Sequence, residues 1–147
     1  MKRTSAGPRS LAKGDFETLA EFRYLLRQFG AFSAGAAREA GLTAQQHQVL
    51  LAIKGFPGRE QVTIGELAER LSLKHHSVVG LVDRLMRRGL IARRHDEADR
   101  RKVRIVLTPQ ADELLLGLTL AHRDELRRLA PMLQGLLRRL QESGRTQ

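Results

Sequence analysis

The chain reads as a mainly α protein with a small β-hairpin wing. Three observations lead there: few aromatics, helical apolar patterns opened by Thr capping signals, and one short, arginine-rich alternating hairpin. With no Trp, one Tyr and five Phe, the core must be built from Leu, Ala, Val and Ile, a vocabulary that favours helix. At 147 residues the chain is long enough to bury a core of its own.

The elements follow in order. Residues 1 to 12 read as a disordered basic arm, charged and without an apolar run. From Asp15 to about Ala37, Phe16, Leu19, Phe22, Leu26, Phe29 and Phe32 recur at helical spacing, with Asp15 the expected N-cap. Thr43-Ala-Gln-Gln46 is a capping box opening a second helix that Gly55-Phe-Pro-Gly58 ends. After a short polar stretch, Thr63-Ile-Gly-Glu66 opens a third helix to Leu71, and a fourth runs from about His75 to Arg88, stopped by Gly89. Leu90 to Arg94 and Lys102 to Leu107 read as antiparallel strands joined by a seven-residue tip. Thr108-Pro109 supplies an N-cap and a proline at the first helical position. A long helix follows, which Pro131 is expected to break before a final amphipathic helix.

The expected organisation is a winged helix-turn-helix DNA-binding lobe, residues 63–108, with N- and C-terminal dimerisation helices, residues 13–62 and 109–143. Helix 42–55 also supports the lobe. The outer helices carry apolar stripes larger than the central unit can cover, and a homodimer buries them with one self-complementary patch.

Charge points to the partner. Of a formal net charge of +10, residues 70 to 104 carry +7, from eleven Lys/Arg against Asp83, Asp96, Glu97 and Asp99. Such clustering marks a surface for a polyanion. On the fourth helix Val78, Leu81, Val82 and Leu85 form one stripe, which turns His76, Gly80, Arg84 and Arg87 outward. Lys74, His75, His76 and Ser77 lie at the helix start, where base edges are usually met. Gly80 permits close approach, whereas Arg84 suits guanine or phosphate and Arg87 and Arg88, at the far end of the helix, suit phosphate. Asp83 on that face needs a cation, either Arg87 at i+4 or a hairpin arginine; the latter is preferred because it would lock the wing to the helix. Arg94, Arg100, Arg101 and Lys102 complete the basic set, the tip being suited to a minor groove. The tip carboxylates read as turn caps that orient arginines rather than as metal ligands or acid/base pairs.

At these residues the chain resembles the MarR family of bacterial transcriptional regulators. The likeness runs from about Asp15 to Leu140. Its strongest features are Val82-Asp83-Arg84-Leu85, Gly89-Leu90-Ile91, and Asp96-x-x-Asp99-Arg100-Arg101 followed by Leu107-Thr108. The resemblance implies a homodimer on a palindromic operator of double-stranded DNA, recognition helices in major grooves and wing arginines in minor grooves, with Asp99 and Arg101 as a wing pair. It also implies a regulator, expected to be a repressor, released by a small aromatic or phenolic ligand. Candidates for that ligand by type and position are Arg23, Phe29, Phe32 and His47. The chain departs from common members at Val79 and Gly80, where polar or basic residues often stand.

Other classes fit poorly. No phosphate-cradling glycine loop, nucleophile with a base at recognisable spacing, or metal-ligand cluster supports an enzyme, and no cofactor is implied. An RNA-binding module would show aromatic stacking platforms, which the strands lack. A helical protein that binds nucleic acid nonspecifically or an acidic partner predicts no preference among DNA sequences. The absence of cysteine excludes disulfides and thiolate sites. With neither a leader-like apolar segment nor a membrane span in view, the expected location is cytoplasmic, at the nucleoid.

Overall fold

A computed structural model describes residues 11–143 and 145; the expected basic arm lies, up to residue 10, outside the described residues. The elements are α1 (Lys13–Glu39), α2 (Ala44–Lys54), β1 (Gln61–Val62), α3 (Ile64–Leu71), α4 (His75–Arg87), β2 (Ile91–His95), β3 (Val103–Leu107) and α5 (Pro109–Ser143). They form two compact units, one within Met1–Ala31 and Asp124–Gln147, the other Phe32–Arg123.

Local chemistry sets the boundaries. Both capping boxes close: Thr43 Oγ1 accepts from the Gln46 amide at 3.1 Å, and Thr63 Oγ1 from the Glu66 amide at 3.2 Å, with the Gln and Glu side chains returning to the Thr amides at 3.0 Å. Such caps are worth about 1 kcal/mol each. Three helices end alike. Gly41 (φ 78°), Ser72 (φ 53°) and Gly89 (φ 69°) are left-handed, and the next amides, of Leu42, Leu73 and Leu90, donate back to Ala37, Ala68 and Leu85 at 2.8 to 3.0 Å. This is the Schellman arrangement, whose leucine after the turn folds back onto the core; Leu42 and Leu90 are buried and Leu73 packs against the same cluster.

In the Phe32–Arg123 unit, Val49, Leu50 and Ile53 of α2 meet Leu67 of α3 and Val78, Val82 and Leu85 of α4, with Val62, Ile91 and Ile105 from the sheet. In the other unit, Leu25, Leu129 and Leu136 form a smaller core with Phe22, Phe29 and Leu133 against it.

The structure corrects four expectations. Asp15 is not the N-cap: α1 begins two residues earlier, and the Asp15 carboxylate reaches back to the Ala12 amide at 3.1 Å. Pro131 does not break the last helix; α5 runs through it. Pro131 and Arg127 are both exposed, so the carbonyl left without a donor faces water, and the flanking leucines hold the helix. The polar stretch before α3 contains β1, which pairs antiparallel with β3 (Val62 opposite Ile105) and makes a three-stranded sheet in the order β1-β3-β2. The hairpin is one residue offset at the tip: β2 extends to His95, β3 starts at Val103, and Ile91 lies opposite Leu107.

Candidate nucleic-acid interface

Burial on α4 divides it into two faces. Val78, Leu81, Val82 and Leu85 are buried, which leaves His75, His76, Arg84 and Arg87 exposed, Gly80 and Ser77 half-buried. Lys74 holds the N-cap position without a side-chain cap bond, so its ammonium and the first-turn amides face outward together, a favourable setting for an anion. A Cβ at Gly80 would lie 3.2 Å from Arg84 Nη2; the missing side chain is what lets the Arg84 guanidinium lie back along the helix.

Asp83 pairs with Arg93 of β2 at 3.4 Å, a hairpin arginine rather than Arg87, and so joins α4 to the first strand of the wing. Both partners are more than 40% exposed, which makes the pair a positional tie worth at most about 1 kcal/mol. Arg88 is exposed, yet its Nη1 donates to the Gly41 carbonyl at 2.7 Å and to Gln46 Oε1 at 3.4 Å, so its guanidinium ties the α1–α2 corner to the end of α4.

The wing turn is built from aspartate. Asp99 Oδ1 accepts from the backbone amide of Arg101 at 3.1 Å, and the Lys102 amide donates to the Asp99 carbonyl at 3.0 Å; the contact between Asp99 and Arg101 is thus through backbone. Asp96 Oδ1 accepts from the Ala98 amide at 3.0 Å, and the Asp96 amide donates to the Lys102 carbonyl. The Ala98 amide, followed by Arg104, holds the Asp96 carboxyl below the ordinary carboxylate range. Arg100, Arg101 and Lys102 all remain exposed. Arg94 points elsewhere, into a polar cleft of about 260 Å³ with Lys54, Glu60 and Asp112.

Sequence reasoning missed a second layer of charge. Glu66, the third residue of α3, is bound by both guanidinium nitrogens of Arg59, which holds its carboxyl below the usual range. Arg104 gives Nε and Nη2 to Asp96 Oδ2 at 3.3 and 3.2 Å and brings Nη1 to 3.9 Å from Glu66. The signal was present: Arg104 interrupts the apolar part of a strand, between Val103 and Ile105.

Of the four ligand candidates, two share one place. His47 and Phe32 both lie against His122, with ring centroids 4.8 and 5.3 Å away. His122 bonds the Leu118 carbonyl through Nδ1 and the Ser33 hydroxyl through Nε2. His47 is 2% exposed and its Nδ1 is buried without a hydrogen-bond partner; burial, then the neighbouring His122, lowers its pKa. Phe29 packs against the Leu25, Leu129 and Leu136 core, and Arg23 is exposed. Among the described residues no group of three His, Asp or Glu could hold a metal, and no helix is long and apolar enough to cross a membrane.

Two helices joined by a tight turn, with a three-stranded sheet whose β2–β3 turn projects beside the second, define a winged helix-turn-helix protein. Residues 40–102 match the profile of the MarR family. A Bacillus subtilis relative described as HTH-type transcriptional repressor MdtR is 36% identical over 81 residues, 52% of this chain and 50% of that protein. The chain spans about half the length of the curated relatives it matches. Among solved structures, a probable transcriptional regulator from Pseudomonas aeruginosa is 28% identical with a TM-score of 0.58, over 81% of this chain and 92% of that one. AbsC, a MarR family transcriptional regulator from Streptomyces coelicolor, shares the fold at 20% identity and a TM-score of 0.68, over 95% and 99%. Over residues 40–102 the chain is therefore similar to the MarR family, and the solved structures share its fold.

Proposed function

We propose that the protein is a sequence-specific double-stranded DNA-binding transcriptional regulator, a repressor acting as a homodimer on a palindromic operator. The observation that carries this reading is the exposure of Arg84 and Arg87, with His76, on the outer face of α4 and of Arg100 to Lys102 at the wing, while the guanidinium groups of Arg88 and Arg104 are engaged by the Gly41 carbonyl and by Asp96. In this reading Lys74, His75, His76 and Ser77 approach base edges, Arg84 and Arg87 meet guanine or phosphate, and the wing enters a minor groove. With Val79 and Gly80 giving little to bases, the first turn of α4, the wing and DNA shape carry the specificity. Repression follows the MdtR relative's description. Dimerisation is supported by apolar side chains left exposed on α1 and α5, and release by a small aromatic acid by the setting of His47 and Phe32.

Selection from a random duplex library, followed by a salt titration of the selected site against random DNA, tests this. The log-log slope of the binding constant is expected at about −6 to −10. Equal affinity for both DNAs would refute sequence-specific regulation and leave the acidic-partner reading. Arg101→Ala should cost about 1 to 3 kcal/mol of operator binding without lowering the melting temperature.

A further inference from the structure

We propose that Arg104 is a positioning residue for the wing: it spends its own charge inside the protein to fix where Arg100, Arg101 and Lys102 are presented. The inference rests on the reading that the wing meets DNA. Arg104 lies opposite Arg94, one pair from the tip end of the β2–β3 ladder, but its side chain is only 19% exposed. Nε and Nη2 share Asp96 Oδ2 at 3.3 and 3.2 Å, and Nη1 stands 3.9 Å from Glu66 Oε1.

Each carboxylate it touches is already fixed to backbone. Asp96 Oδ1 holds the Ala98 amide of the turn, and Glu66 Oε1 holds the Thr63 amide at the start of α3. A connected path of charge therefore runs from Arg59 and the α3 capping box through Glu66, Arg104 and Asp96 into the wing turn. Only a guanidinium has the planar fork to serve two carboxylates from one side chain. Without it, Glu66 would keep Arg59, but Asp96 would lose the guanidinium that pairs with it beside a surface that must approach phosphate. Of the cations from the tip onward, Arg100, Arg101 and Lys102 stay exposed and Arg104 aims them.

The test compares Arg104→Gln and Arg104→Lys with the wild type, and adds Asp96→Asn, which cuts the same contact from the other side while keeping an acceptor for Ala98. Two readouts are taken. In the free protein, amide exchange at Ala98, Arg101 and Lys102 should accelerate about tenfold or more in Arg104→Gln and Asp96→Asn, with α4 amides unchanged. On the selected operator, Arg104→Gln should lose about tenfold or more in affinity and lose minor-groove protection by the wing, keeping the major-groove protection by α4; the salt slope should shallow by about 2 per dimer. Arg104→Lys should restore charge but not the wing footprint. Unchanged exchange at the turn, or an unaltered wing footprint in Arg104→Gln and Asp96→Asn, overturns the proposal. So does a uniform loss of both protections with a lowered melting temperature, which would make Arg104 a stability residue only. A wild type without operator preference sinks the regulator reading instead, and the exchange measurement still decides whether Arg104 orders the turn.

Discussion

His47 shows how one side chain carries a chemical liability for the fold. It is buried on α2 with Nδ1 unpartnered, and burial and His122 lower its pKa from 6.5. Above pH 6.5 the imidazole is neutral in both folded and unfolded chains and costs nothing. Below it the unfolded chain takes a proton that the folded chain refuses, so stability falls as pH drops through 6.5 toward the lower folded value. Wild-type protein should lose more stability between about pH 7.5 and about pH 5.5 than His47→Gln, which cannot titrate; equal losses, by chemical denaturation at each pH, would assign the proton uptake to another group. Ser72 is a liability of another kind. Of the three left-handed helix ends it alone is not glycine, and an L side chain there costs about 1 kcal/mol. Ser72→Gly is expected to stabilise the protein by about 0.5 to 1 kcal/mol, read as a higher denaturation midpoint at constant slope; a destabilisation would mean that the serine side chain makes a stabilising contact that outweighs the backbone strain.

At the level of elements, α5 is the case where propensity and packing disagree. Proline in a helix interior loses a hydrogen bond and crowds the preceding turn at about 3 kcal/mol, yet Leu129 and Leu136, on either side of Pro131, are both buried in one core. Packing wins because a break would cost both leucines their burial, about 1.5 to 3 kcal/mol each. Pro131→Ala should therefore raise stability, by up to about 3 kcal/mol, and leave the circular dichroism spectrum almost unchanged; a marked gain in helix signal would show that the wild-type helix is interrupted after all. The same contrast explains what the sequence made legible. Both Thr boxes, Gly41 and Gly89, and the buried stripe of α4 are local signals, set by residues three or four apart, and each element they mark is where they placed it. The two-residue strand β1 was not readable, because Gln61-Val62 becomes a strand only through pairing with Val106 and Ile105, more than forty positions away. The exposed cations of the interface could be listed from helix and strand period, but Arg88 and Arg104 could not be separated from them: only tertiary partners, Gly41 in one case and Asp96 in the other, engage those two guanidinium groups.

For the whole molecule, charge and apolar surface make opposing demands, which the proposed homodimer would reconcile. A net charge of +10 opposes close approach of two copies, the more so at low salt. Against it stand apolar side chains open to water near both chain ends: Phe16 and Leu19 of α1 at 59% exposure each, and Leu137 and Leu140 of α5 at 51% and 46%. Large exposed apolar side chains of this kind favour association, and the strongly basic segment lies elsewhere in the sequence, between residues 70 and 104. Light scattering should give about twice the 16.5 kDa chain mass, and the melting temperature should rise with protein concentration, since association stabilises the folded state by mass action. Leu137→Glu places a carboxylate on that surface without touching α4 or the wing. It should yield monomer, abolish the concentration dependence, and reduce operator affinity far more than affinity for random duplex, because only binding to two half-sites at once depends on the pairing. A Leu137→Glu protein that remains a dimer would move the interface away from this face of α5.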